Sequence, residues 1–235
     1  KVRLKALHAQ IPQLLNRLGF PLLEYTDESN PKIRNSHRYY VIGAGYKTMY
    51  GKLPSLRPEL KLEIIQRQPL LPVDRMEFGY LYESLAGIPS SASLSINCAS
   101  VAETAAEKVI SLLRRCAYKW DGFQINSDID PALVRHIYDI ACIVDLAADS
   151  LPSARNIFPL LVQNDRHEFQ GQNPSFDADP LGVLRRTLKA AKSSEHLRAQ
   201  YSQNLMSLVY DLAPPSFEQS FASFEAVAQD FLSAC

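Results

Sequence analysis

Four ionisable residues have types and spacings that suit phosphate chemistry: Lys108, Asp139, Glu63 and Arg67. Lys108 lies in V-A-E-T-A-A-E-K-V-I-S-L-L-R-R, a run with helical periodicity. It falls between Val101 and Leu112 at the margin of the apolar stripe, while Glu103, Glu107 and Arg114 are expected to point the other way. A lysine there either packs its methylene stem and sends its ammonium to water, or meets a phosphate as a point charge. Asp139 follows in R-H-I-Y-D-I-A-C-I-V, on the flank of a stripe made by Leu133, Ile137, Ile140 and Val144. Arg135 stands one helical turn before it, so a surface ion pair worth roughly 0.3–0.5 kcal/mol is the plain alternative to a role in a site.

Glu63 sits in E-L-K-L-E-I-I-Q-R, where alternation sends Leu62 and Ile64 to one face of a strand and Lys61, Glu63 and Ile65 to the other. A carboxylate in mid-strand either faces solvent on an edge or, if buried, needs a partner or a metal ion. Arg67 is expected on the same strand face, where it would pair with Glu63 or contact a phosphate. Two D-x-D patterns, Asp128/Asp130 and Asp177/Asp179, have the spacing of a two-metal site, but each is followed at once by proline. That order makes the second Asp a helix N-cap and the first a turn residue.

The elements that position these residues change character along the chain. Leu4, Leu7, Ile11, Leu14, Leu15 and Leu18 predict an amphipathic helix ending at Gly19 and Pro21. Strands of one sheet are expected over roughly 22–26, 37–50 and 60–67, with a last strand over 92–98 and an unassigned stretch over 78–89. From Ser100 onward the period is near 3.6. Ser100 and Glu103 read as a capping box, Asp130-Pro131 as a helix start, and further helices are expected over 181–192, 195–210 and 217–232. These signals predict an α+β protein divided into an α/β part over 1–98 and a helical bundle over 99–235.

Composition narrows the function classes. Lys+Arg and Asp+Glu both number 25 in 235 residues, so no strong basic field gathers nucleic acid from a distance, and any RNA partner must be held by a local patch. No apolar run approaches the ~20 residues that cross a bilayer, and the N-terminal segment lacks the apolar core of a signal peptide. A cytoplasmic protein with no membrane partner is therefore expected. Cys98, Cys116, Cys142 and Cys235 have no CxxC or Cys/His spacing, and no glycine-rich phosphate loop exists.

Four segments in order carry a family resemblance. Ser100–Arg115 and V-R-H-I-Y-D-I-A-C-I-V resemble the A-E-K-x-x-A-L-x-R and R-D/H-x-x-D-L elements of the AbiEii/AbiGii nucleotidyltransferase family. L-K-L-E-I-I-Q-R resembles its central strand, and Val162–Phe169 with L-V-Y-D-L-A-P-P-S-F-E-Q-S-F resemble its terminal helices. The resemblance implies a small mixed β-sheet of nucleotidyltransferase type followed by a helical domain. It also implies a toxin of a toxin–antitoxin or phage-defence system that transfers a nucleotide from a nucleoside triphosphate to an acceptor, tRNA by expectation, with Mg²⁺ as cofactor and a cognate antitoxin as a further partner. Lys108 then matches the family lysine, Asp139 the aspartate of the helical domain and Glu63 the strand carboxylate that would bind metal, and Arg67 would help Lys108 hold the triphosphate.

The chain departs from the family pattern at one place. The G-S or G-G turn and strand D-x-D should precede the helix at Leu4–Leu18, and nothing of that form is present. The expectation is that the numbered chain omits an N-terminal segment bearing that motif. The alternative is a catalytically inactive homologue acting as a binding or regulatory module. If the enzyme reading holds, Glu63, Lys108 and Asp139 should converge on one cleft.

Overall fold

A computed structural model describes residues 2–20, 32–34, 39–46, 59–91, 93–123, 131–209 and 213–235. The chain divides into two compact units, Lys1–Gln68 and Pro69–Cys235. The boundary drawn from periodicity at 98/99 coincides with the change from strand to helix, whereas the division by compactness falls at Gln68/Pro69.

In the first unit, helix α1 (Val2–Arg17) ends at Gly19, whose φ of 81° suits a residue without a Cβ. Strands β1 (Lys32–Arg34), β2 (Tyr39–Gly45) and β3 (Glu59–Ile65) form an antiparallel sheet in the order β1-β2-β3, with Val41 opposite Glu63. Alternation works as expected: Leu62 and Ile64 pack against a core of Ile11, Leu15, Tyr40, Ile42 and Ala44, while Lys61, Glu63 and Ile65 are exposed. The α1 stripe is narrower than its leucines suggest. His8, Ile11 and Leu15 are buried, with His8 stacked on Tyr40 at 4.2 Å, but Leu7, Leu14 and Leu18 are exposed. The strand expected over 22–26 lies outside the described residues.

The second unit opens with an antiparallel pair, β4 (Asp74–Phe78) and β5 (Leu94–Cys98), joined through the short helix α2 (Leu81–Ala86). The single mixed sheet expected from the sequence is thus replaced, among the described residues, by two antiparallel sheets. The physical reason lies in Pro69-Leu-Leu-Pro72. Its prolines have no N–H for a ladder, and the amides of Leu70 and Leu71 donate instead to the carboxylate of Glu103 at 2.9–3.0 Å.

The rest is a helical bundle around α3 (Val101–Trp120). Three residues thought to lie on its outer side require correction: Glu103 is 5% and Arg114 4% exposed, and Glu107 is half-buried. Buried Ala102, Ala105, Ala106, Val109, Ile110, Leu112, Leu113, Cys116 and Ala117 encircle the helix, which is surrounded by its neighbours rather than laid on them. The capping box is half formed. The Ser100 hydroxyl accepts from the Glu103 amide at 3.2 Å, but the Glu103 carboxylate serves Leu70 and Leu71 instead of the cap.

A 3₁₀ turn (Pro131–Val134) leads into α4 (Arg135–Leu146), which packs on α3 and on α9 (Phe217–Ser233). Helix α5 (Leu151–Glu168) was not expected from periodicity, because Pro152 and Pro159 interrupt the pattern; Pro152 occupies the first turn, where its missing N–H costs nothing. Then follow α6 (Pro174–Ala178), α7 (Pro180–Lys192) and α8 (Glu195–Gln200), the last running on through a π turn (Tyr201–Leu205) and a 3₁₀ turn (Met206–Leu208). The Asp179 carboxylate accepts from the Gly182 amide at 2.9 Å, the N-cap expected of it, and Asp177 accepts from the Gly171 amide. Asp128 and Asp130 lie outside the described residues.

Candidate active site between two helices

Lys108 projects from the middle of α3 and Asp139 from α4, one turn after that helix begins. Their side chains meet, with Lys108 Nζ donating to Asp139 Oδ2 at 2.6 Å. Neither is closed in: the side chains are 21% and 31% exposed. The Asp139 carboxylate therefore turns across to the neighbouring helix instead of along its own to Arg135.

His136 stands beside the pair, with Nδ1 3.9 Å from the same Asp139 oxygen, beyond hydrogen-bond reach, and a side chain only 13% exposed. Burial holds its imidazole below the ordinary histidine range; the Asp139 charge opposes that shift and the Lys108 and Arg135 charges add to it. For Asp139, burial works to raise the carboxyl, but His136 and Lys108 outweigh it and hold it below the usual carboxylate range. The site at neutral pH is thus a carboxylate, an ammonium and a neutral imidazole. His136 is a site residue that the pattern of charges alone does not single out, although its i,i+3 spacing to Asp139 puts both on one helix face.

Glu63 and Arg67 belong to the first unit. Glu63 is 43% exposed and forms an ion pair with Lys61 at 2.5 Å. Arg67 lies beyond the end of β3, exposed, so the strand face expected to carry it alongside Glu63 stops short of it. Among the described residues, no group of three or more His, Cys, Asp or Glu side chains is close enough to hold a metal ion. A lone carboxylate already engaged by a lysine supplies too few hard oxygen ligands for Mg²⁺, so the described residues do not by themselves fit that ion.

Cys116 is buried in the core, where burial pushes its thiol up to about 12, and Cys98, Cys142 and Cys235 are free. No described helix is long and apolar enough to cross a membrane.

The chain is α+β, and its helical part presents a half-open lysine–aspartate pair from two packed helices. Comparison with known families makes the class definite. The model of the nucleotidyl transferase AbiEii toxin family, of type IV toxin–antitoxin systems, matches residues 1–223, and the chain belongs to that family. No curated protein and no solved structure matches it.

Proposed function

We propose that this protein transfers a nucleotide from a nucleoside triphosphate to an RNA acceptor, tRNA, as the toxin of a cytoplasmic toxin–antitoxin pair whose cognate antitoxin restrains it. The observation that supports this most is the Lys108–Asp139 pair: the two residues that match the family's lysine and aspartate are in contact across α3 and α4. In the reaction, the acceptor hydroxyl oxygen bonds to the α-phosphorus as the bond from that phosphorus to the bridging α–β oxygen breaks. Pyrophosphate leaves, and the hydroxyl proton passes to solvent. Little covalent work is asked of the protein, and positioning and charge neutralisation supply the catalysis. Lys108 donates to a phosphate oxygen with the protons Asp139 does not use, since an ammonium carries three. Asp139, held below the usual carboxylate range by His136 and Lys108, acts by fixing the ammonium. Mg²⁺ enters with the nucleoside triphosphate as its complex, and no step is assigned to a metal held by the described residues.

The test is transfer of label from each radiolabelled triphosphate, with Mg²⁺, to bulk bacterial RNA by the full-length protein. Labelled tRNA is expected. Lys108→Ala and Asp139→Asn should each remove most of the transfer, about 10²-fold or more for a lost phosphate contact made in the transition state. Loss of transfer in Glu63→Gln or Arg67→Ala would extend the site to the first unit. Full transfer by Lys108→Ala would refute its role, and no transfer by the wild type would favour a binding or regulatory module.

A further inference from the structure

We infer that His136 is the positioning residue of the Lys108–Asp139 pair: as a neutral ring walled in 3.9 Å from Asp139 Oδ2, it leaves that oxygen to Lys108, and as a cation it takes the oxygen for itself and lets Lys108 go. The inference rests on the nucleotidyl-transfer reading for its activity arm, and on geometry alone for its spectroscopic arm.

Three observations carry it. Lys108 Nζ and His136 Nδ1 approach the same carboxylate oxygen, one at hydrogen-bond distance and one just outside it. His136 Nδ1 is buried and makes no hydrogen bond to any described residue, so no partner holds the ring away from Asp139. The other charges acting on the ring are few. Arg135 contributes from the same helix, the buried face of α9 carries only Phe, Ala, Val, Leu and Ser220, and Asp149 in the 3₁₀ turn that follows α4 is exposed. A single proton on Nδ1 therefore changes the balance at Oδ2 from one cation to two, and a rotation of the ring closes the gap to a charge-assisted hydrogen bond. Lys108, no longer pinned, loses the fixed position from which it meets a phosphate. The ring thus sets the lower pH bound for triphosphate binding, below the ordinary histidine range.

The experiment follows the His136 Cε1–H signal by NMR in the full-length protein, assigned through bonds and checked by its absence in His136→Asn. In the wild type it should titrate below the ordinary histidine range. The midpoint should rise by at least about half a unit in Lys108→Met, which removes a repelling charge, and fall by a similar amount in Asp139→Asn. A midpoint indifferent to both substitutions overturns the inference. In parallel, KM for the triphosphate is measured between about pH 5 and 8. It should rise several-fold on acidification in the wild type, with kcat changing less, and stay level in His136→Asn. Equal pH profiles in the two proteins would also overturn it, and His136→Gln serves should the Asn variant fail to fold. If the wild type transfers nothing, the functional reading fails by itself, and the titration in the charge variants still decides whether His136 answers to the pair.

Discussion

Two ion pairs made from helix α3, at residues six positions apart, do opposite things. Arg114 reaches α5, where its Nε donates to Asp165 Oδ2 at 2.5 Å, and its guanidinium lies 3.6 Å from the centroid of the Phe169 ring. Both side chains are 10% exposed or less. Lys108 reaches α4 and pairs with Asp139 at almost the same distance, but with roughly a fifth and a third of the two side chains open. The first pair is sealed by the bundle and joins α3 to α5. The second is reachable from solvent, and the two differ in exposure, not in distance.

The comparison breaks most sharply under Arg114→Met. It takes the Arg114 guanidinium away from the buried Asp165 carboxylate and the Phe169 ring, and a loss of about 3–5 kcal/mol in denaturant-unfolding stability is expected. Replacing both partners by Leu should recover much of that loss, because the buried charge disappears with its mate. A stability change below about 1 kcal/mol for Arg114→Met would show that the sealed pair is no more structural than the open one.

Glu103, near the start of α3, tests whether its N-terminal end is also structural. Glu103→Ala withdraws the acceptor of the Leu70 and Leu71 amides and should cost about 1–3 kcal/mol. Hydrogen exchange at those two amides should accelerate beyond what the global loss of stability explains.

Lys108→Ala should cost less than about 1 kcal/mol, as expected of a partly exposed ion pair, while removing most of the nucleotide transfer. Arg114→Met should reverse that order, with the larger stability loss and, in the fraction that stays folded, transfer retained. Equal stability losses in the two variants would collapse the distinction between the pairs.

The smallest effect is a slope. The folded state holds the His136 imidazole below its ordinary value, so the unfolded chain takes up that proton first, at about pH 6.5. Stability should fall gently as pH drops below that value and stop falling once the folded ring has titrated. Asp139 acts in a lower window, with its contribution fully present above the unfolded carboxyl value near pH 3.9 and lost as pH falls through the depressed folded one. Denaturant midpoints against pH should show the upper slope in the wild type and not in His136→Asn.

Some of this was legible without coordinates. The change of period at Ser100 marks the start of the helical bundle, because a helix that buries one face must repeat its apolar residues near 3.6 whatever it packs against. Local side-chain chemistry was equally readable, as in the Asp179 cap and the alternating faces of β3, since both depend on neighbours within a few residues. Lys108 and Asp139 could be singled out by pattern, and it was the family resemblance that led to the expectation that they converge. The misread charges of α3 share one cause. Glu103 and Arg114 were read as outward-facing because a helical wheel assumes one buried side, and α3 is enclosed on nearly all sides by helices distant in sequence. What a residue type can do, and which face of its own element it occupies, is set by covalent geometry and short-range periodicity. Whether a charge on that face is sealed like Arg114, diverted like Glu103 or left half-open like Lys108 depends on which distant segments pack there, and only the tertiary structure decides that.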